Sequence, residues 1–402
     1  MKPTSRQERI ELLDILRGVA IFGMFTVNMT ADVLWSDQLA GAIQSPIDTI
    51  TLVLVDLFTN GKFITIFSFL FGVGFYIQSE RVMQRGESVA AFWVRRLAGL
   101  LMIGLVAEAC TLPTWILLDY SLFGLGLLLF YRLSPRWIMV AAIATFAITK
   151  FRWAIFPALF PTLEDSTQVA VTVVDVIHES DDGVFAQGSF FDIGSMNLVH
   201  VWEELTQWNY YLGDLDLLGL MLIGLYVGRI GAVWDRDIQV RVARKSLPWL
   251  LSIGFAGCIA WIVMKQLGVG EDSPEYLQRI AGFLAWPVGM PVVGLGYAAG
   301  IALLVGRPRW KSVLDGFAPI GRMALTNYLF TGLVIAALSF QWGFGLYGQI
   351  GPAAGLFIAL AVLPLQMFMS RWWLARFAYG PFEWLWRAWT YGRLPGLRLA
   401  TA

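Results

Sequence analysis

The chain has 402 residues, 57% of them hydrophobic and only 14% charged, with 18 tryptophans and a formal net charge of zero. A soluble protein of this size needs far more charged surface, so the composition specifies a polytopic membrane protein built of helices and gives no support to nucleic-acid binding. The two cysteines, Cys110 and Cys258, both fall in apolar stretches and imply packing rather than a disulfide framework or a metal site.

Apolar stretches of roughly 18–25 residues cross a hydrocarbon core. They centre near 12–33, 62–79, 97–113, 115–131, 136–157, 207–228, 247–265, 282–305, 321–340 and 352–370, which predicts about ten transmembrane helices. With the N-terminus in the cytoplasm, 23 of the 29 Lys and Arg lie on cytoplasmic segments, so both termini are expected inside. The alternation expected of barrel strands is absent. We read one integral domain: spans one to five within 1–160, an acidic outer loop over 161–205, spans six to ten within 206–370, and a cytoplasmic interfacial tail over 371–402.

The first stretch, "RIELLDILRGVAIFGMFTVNM", carries Asp14, Arg17 and Asn28 in or at the edge of its apolar run. No small-residue cleavage site follows, so it is expected to stay as the first span. Asp14 and Arg17 are i,i+3 neighbours able to pair, and Gly18 lets another helix approach the same turn. Asn28 lies about 20° round the wheel and roughly 16 Å further along, which makes one polar stripe. Intramembrane charges of this kind face a protein interior or a cavity.

Further along, Lys62 stands at the outer end of the second span, where cytoplasmic retention cannot explain it; Asp56 or the acidic loop is the expected counter-charge. Glu108 and Asp119 are buried-carboxylate candidates, either general bases with raised pKa or bonds between helices. From Trp153 to Gly228 there is no Lys or Arg, while acidic residues accumulate. "NLVHVWEELTQW" puts His200, Glu203 and Glu204 on adjacent faces of one turn; without a second histidine at i+4 no metal is expected, and His200 reads as a surface histidine. "GLYVG" (Gly224, Gly228) and "GYAAG" (Gly296, Gly300) have the spacing of close helix contacts. Pro287 and Pro291 predict a kinked or broken span eight. In span nine Arg322 is followed by Thr326, Asn327 and Tyr328, and with Arg17 it could receive phosphates. The tail alternates tryptophan with arginine, as at a headgroup interface.

"LLDILRGVAIFGMFTVN" resembles the opening signature of the YeiB family of bacterial membrane proteins. "GKFITIFSFLFGVGF", "GLMLIGLYVGRIG", "GRMALTNYL" and "GPFEWLWRAWT" are similar to its later motifs, in the same order and over nearly the whole chain. The resemblance implies the bacterial inner membrane and a distant relation to transmembrane acyltransferases, with an acyl-CoA donor and a cell-envelope lipid or glycan as acceptor. It also implies a catalytic place for Asn28, which stands where sugar O-acyltransferases have histidine. Beside it, Asp14, Arg17, Lys62, Arg322, Thr326, Asn327 and Tyr328 are the candidate substrate- or donor-binding residues. Two departures stand out: Ala107 falls where relatives have a histidine, and Trp115 where they have an aspartate. Glu108 and Asp119 are the nearby substitutes. A transporter or flippase of an envelope precursor, or a non-catalytic lipid-binding scaffold, remains open beside the acyltransferase reading.

Overall fold

A computed structural model describes residues 6–32, 45–111, 116–159, 183–206, 212–269 and 273–398. Trp115, His178 and most of the acidic loop lie outside the described residues. Within them the chain is helical throughout, with no strand and a single isolated bridge between Phe377 and Arg398.

The polarity is inverted relative to a soluble fold. Phe357, Trp249 and Phe368 are 72%, 68% and 65% exposed, whereas Lys62, Glu108, Asp119, Asp216, Asn327 and Gln366 are buried. Water would expel such a surface and lipid accepts it, so the pattern fits a bundle whose apolar side chains meet hydrocarbon. Among the described residues six helices are long and apolar enough to cross a membrane, starting at Glu11, Pro46, Val89, Arg236, Tyr276 and Pro352, and Ile116–Phe130 and Ala324–Ser339 are shorter apolar helices.

α1 (Arg6–Val27) continues through a π turn (Asn28–Asp32). α2 (Pro46–Phe58) buries Asp48, Thr51 and Asp56 and exposes Ile47, Ile50, Leu54 and Phe58, so its apolar face points outward. Gly61, at φ 72°, supplies the left-handed residue that ends the turn into α3 (Lys62–Gln84). α4 (Val89–Cys110), α5 (Ile116–Phe130) and α6 (Pro135–Leu159) follow, then α7 (Phe190–Thr206) and α8 (Leu215–Arg229). α9 (Arg236–Gln266) packs along α11 (Met290–Leu304), which α10 (Glu275–Phe283) precedes. Three short helices, α12 (Pro308–Leu314), α13 (Ala318–Arg322) and α14 (Ala324–Ser339), lead to α15 (Pro352–Leu374) and the tail helix α16 (Pro381–Tyr391).

α8 sits at the centre, apolar on every side, with Leu220, Met221 and Leu222 fully buried. It packs on α3 backbone to backbone: a Cβ at Gly224 would lie 2.0 Å from the Phe69 carbonyl oxygen, and one at Gly72 1.8 Å from that of Met221. Beside this pair Trp93 donates its indole N–H to the Gly124 carbonyl at 2.9 Å and meets Phe75 edge-on at 4.6 Å. That contact locks α4 to α3 and α5.

Four features differ from the sequence reading. Part of the stretch read as an acidic outer loop is helical, since α7 occupies 190–206 and packs on α4. The segment read as span nine is two helices parted at Met323 (φ −111°, ψ 40°), so Arg322 ends one and Asn327 belongs to the next. α8 has 15 residues, about 22 Å by helical rise, short of a full hydrocarbon core; residues 207–211 before it lie outside the described chain. His200 is buried, not superficial. The break anticipated from Pro287 and Pro291 is present: a π segment over Leu284–Gly289 contains Trp286 at φ −130°, ψ 123°.

Candidate functional site

Two glycines build the first polar centre. A Cβ at Gly321 would lie 1.7 Å from the Asp14 carbonyl oxygen and one at Gly18 2.1 Å from that of Phe317, so α1 and α13 cross in direct backbone contact. The crossing carries Arg322 to the turn that holds Asp14 and Arg17. Asp14, 7% exposed, accepts a hydrogen bond from Arg17 Nη1 at 2.9 Å. The charges of Arg17, Arg322 and Arg387 all bear on its carboxylate.

Arg387 arrives from α16 with its guanidinium 4.6 Å above the Tyr379 ring. Arg96, from α4, lies 3.6 Å above Trp386, whose indole N–H donates to the Arg96 carbonyl at 2.7 Å. Arg96 in turn feels the positive charges of Arg387 and Arg17. Three guanidiniums, from α1, α13 and α16, therefore bear on one carboxylate, and a fourth, Arg96 of α4, stands beside two of them. Two of the four rest on aromatic faces, which hold a cation in place without neutralising it. Such a cluster leaves planar donor forks for an anion, and Arg322 and Arg387 are exposed enough to reach one.

Thr326, Asn327 and Tyr328 are consecutive, yet they diverge. Glu383 of α16 accepts hydrogen bonds from the Thr326 amide at 3.0 Å and its hydroxyl at 2.6 Å. Asn327 donates to the Met323 carbonyl and to Ser370 Oγ, both at 3.0 Å, and so ties α14 to α15. Tyr328 turns to Tyr120, within electrostatic range of its hydroxyl.

Tyr120 centres a second polar group. Its hydroxyl lies 2.8 Å from Ser68 Oγ and donates to the Ile64 carbonyl at 3.3 Å, and Asp119 is within electrostatic range. Sequence reasoning passed over Tyr120 in favour of its charged neighbour Asp119. Glu108, 2% exposed, lies in the last turn of α4, where Asn197 of α7 donates to the carbonyls of Glu108 at 2.8 Å and Thr111 at 2.6 Å. His200 lies one turn beyond Asn197 on the same buried face. Asn28, half-buried, is in the π turn that packs on α15, where a Cβ at Gly355 would lie 1.9 Å from the Met29 carbonyl oxygen. The stripe from Arg17 to Asn28 thus meets α13 at one end and α15 at the other.

Lys62 belongs to neither group. It is fully buried, and its Nζ donates to the Asp56 carbonyl beside the thiol of Cys258. The Asp56 carboxylate takes Lys265 Nζ and Asn60 Nδ2, each at 3.0 Å. Cys258 faces the helix break, where a Cβ at Gly289 would lie 3.0 Å from its sulfur. Among the described residues no three His, Cys, Asp or Glu gather as a metal site.

Residues 227–393 match the family model described as "Protein of unknown function (DUF418)". Over 408 residues the chain is 30% identical to "Uncharacterized protein YxaH" of Bacillus subtilis (strain 168), covering 97% of this chain and 96% of that protein. It is 26% identical to "Uncharacterized protein YeiB" of Escherichia coli (strain K12), over 94% and 96% of the two chains. A further relative, the "Uncharacterized 39.9 kDa protein in amylase 3'region" of Bacillus acidopullulyticus, is 27% identical over 98% of this chain. No solved structure matches. Near-complete coverage at this identity means that the chain belongs to the family of YxaH and YeiB, with a DUF418 domain in its C-terminal half.

Proposed function

We propose that this protein is a ten-span, N-in/C-in protein of the bacterial inner membrane, that it forms one integral domain, and that it is acyltransferase-like. It takes an acyl-CoA donor on the cytoplasmic side and serves a cell-envelope lipid or glycan acceptor. The observation that supports this reading is the approach of Arg17, Arg322 and Arg387 to Asp14, with Arg96 beside Arg17 and Arg387. Guanidinium forks match phosphate oxygens in pairs, and coenzyme A presents several phosphates. In this scheme Glu108 or Asp119 removes the proton of an acceptor hydroxyl, and that oxygen attacks the thioester carbonyl. The coenzyme A thiolate then leaves and takes up a proton, and Asn28 is the amide assigned to the developing oxyanion. Arg96 and Glu108 lie on one helix, about 18 Å apart by helical rise, so donor headgroup and chemistry occupy opposite ends of α4.

Titration of the detergent-purified protein with coenzyme A tests the reading. Binding that Arg17→Lys weakens about tenfold, roughly 1.4 kcal/mol, is the expected result. Absence of binding in the folded protein overturns it. A transport function is the second reading, and the break at Leu284–Gly289 beside buried Lys62 and Cys258 favours it, because broken spans lined by polar groups mark substrate routes in transporters.

A further inference from the structure

The face of α1 that carries Leu12, Leu13 and Leu16, away from α13, borders a chamber of about 210 Å³. α3, α8, α9 and α11 line it, it opens outward on one side, and among the described residues Gln239 and Ser246, both on α9, are its only polar lining side chains. An engineered hydrocarbon cavity of ~150 Å³ stays dry and accepts benzene, so a chamber of this lining and size favours hydrocarbon over water. It is below the roughly 300–1,000 Å³ of a drug-sized pocket, which suits one chain rather than a bulky ring system. Val242, 39% exposed, stands at its rim.

The charge at one end indicates what the hydrocarbon is attached to. α9 enters the chamber wall at Gln239 and α11 leaves it at Ala302. About one turn beyond, some 5 Å by helical rise, the Arg236 guanidinium lies across Gly306, where a Cβ would sit 2.4 Å from Nη2. Arg236, Arg307 and Arg309 are exposed around this end, and Arg241, Arg244 and Lys245 are exposed further along α9. Of the nearby acids, Asp235 caps α9 through the amides of Asp237 and Ile238, Glu11 pairs with Lys311 at 3.0 Å, and Asp237 is exposed. The basic excess lies at the end expected in the cytoplasm, where anionic lipid concentrates.

We propose that this chamber holds one acyl chain of an anionic glycerophospholipid from the cytoplasmic leaflet, with the lipid phosphate at Arg236. The site is separate from the arginine cluster around Asp14, which lies across α1, and does not depend on the acyl-donor reading. Two vesicle preparations test it. Each is phosphatidylcholine with a trace of photoreactive lipid carrying a diazirine in its acyl chain, either phosphatidylglycerol or phosphatidylcholine. The expected result is that, after irradiation, the phosphatidylglycerol probe labels peptides from α9 and α11 several-fold more than the phosphatidylcholine probe. Val242→Trp, at the rim, should remove that labelling while sparing labels elsewhere on the bundle, and Ala299→Phe should do the same from inside. Arg236→Gln should bring the anionic probe down to the neutral one, and Arg236→Lys should restore part of the difference. Equal labelling by the two probes, or labelling that survives Val242→Trp in a monodisperse protein, overturns the proposal. If Ala299→Phe does not fold, the rim variant decides.

Discussion

The carboxylate of Glu383 accepts both the amide and the hydroxyl of Thr326, at 3.0 and 2.6 Å, and by these two bonds the tail helix is fastened to α14. Burial pushes the Glu383 carboxyl above its ordinary value of 4.5, and the Thr326 bonds offset that only in part. A raised folded value means the fold holds the proton more tightly than the unfolded chain does. The resulting stability is present below pH 4.5 and is lost as pH rises through the folded value. Thermal unfolding between pH 4 and 8 should therefore show a decline in the wild type that Glu383→Gln lacks. Thr326→Val should destabilise by about 1–3 kcal/mol, since it leaves a half-buried carboxylate short of a donor.

Asp14→Asn should impair assembly and Arg17→Lys should impair ligand binding. Removing one partner of a buried pair costs roughly 3–5 kcal/mol. With the Arg17 side chain 31% exposed, the lower end of that range applies. Yield of monodisperse protein and coenzyme A affinity, measured on both variants, separate the two effects; equal losses of both kinds would contradict the assignment.

Gly321→Ala forces a methyl group onto the Asp14 carbonyl, and overpacking of this kind costs about 1–3 kcal/mol. Gly282, with nothing within 4 Å of its added Cβ, is the control. Gly282→Ala should change the unfolding temperature little or raise it.

Glu108→Gln or Asp119→Asn should abolish activity in an acyl-transfer assay while leaving folding intact. If both variants keep full activity, neither carboxylate is the base.

Cysteines introduced at Gln187 and Gly396, both exposed, should react with a membrane-impermeant maleimide from opposite sides of the membrane. Labelling from one side would refute the N-in/C-in arrangement.

The sequence carried the helical class plainly, because hydrocarbon imposes long apolar runs that no soluble fold needs. It also carried the broken helix at Pro287 and Pro291, where missing donors leave a local mark. Boundaries inside apolar runs were harder to see. The change of direction at Met323 has no proline or glycine at that residue, and α7 hides in a stretch whose acidic residues resemble a loop. The candidate site was legible one residue at a time but not as an assembly. Asp14, Arg17 and Arg322 stood out as charges near or in spans, whereas Arg96 and Arg387 looked like ordinary interfacial arginines. Their neighbours Trp386 and Tyr379 come from the tail, and spacing along one helix says nothing about a helix packed from elsewhere.

Lys62 has a consequence for how the bundle is completed. Its partners are α2, just before it in the chain, and Cys258, almost two hundred residues later, while Lys265 of the same late helix neutralises Asp56. Until α9 has been made and docked, Lys62 lacks its thiol neighbour and Asp56 its ion pair with Lys265, and the two opposite charges are left with one another in a setting that hydrocarbon disfavours. The early helices therefore wait for the late ones. The N-terminal half is a partner awaiting its complement rather than a unit that could be cut away and remain folded, although the DUF418 model matches only the C-terminal part.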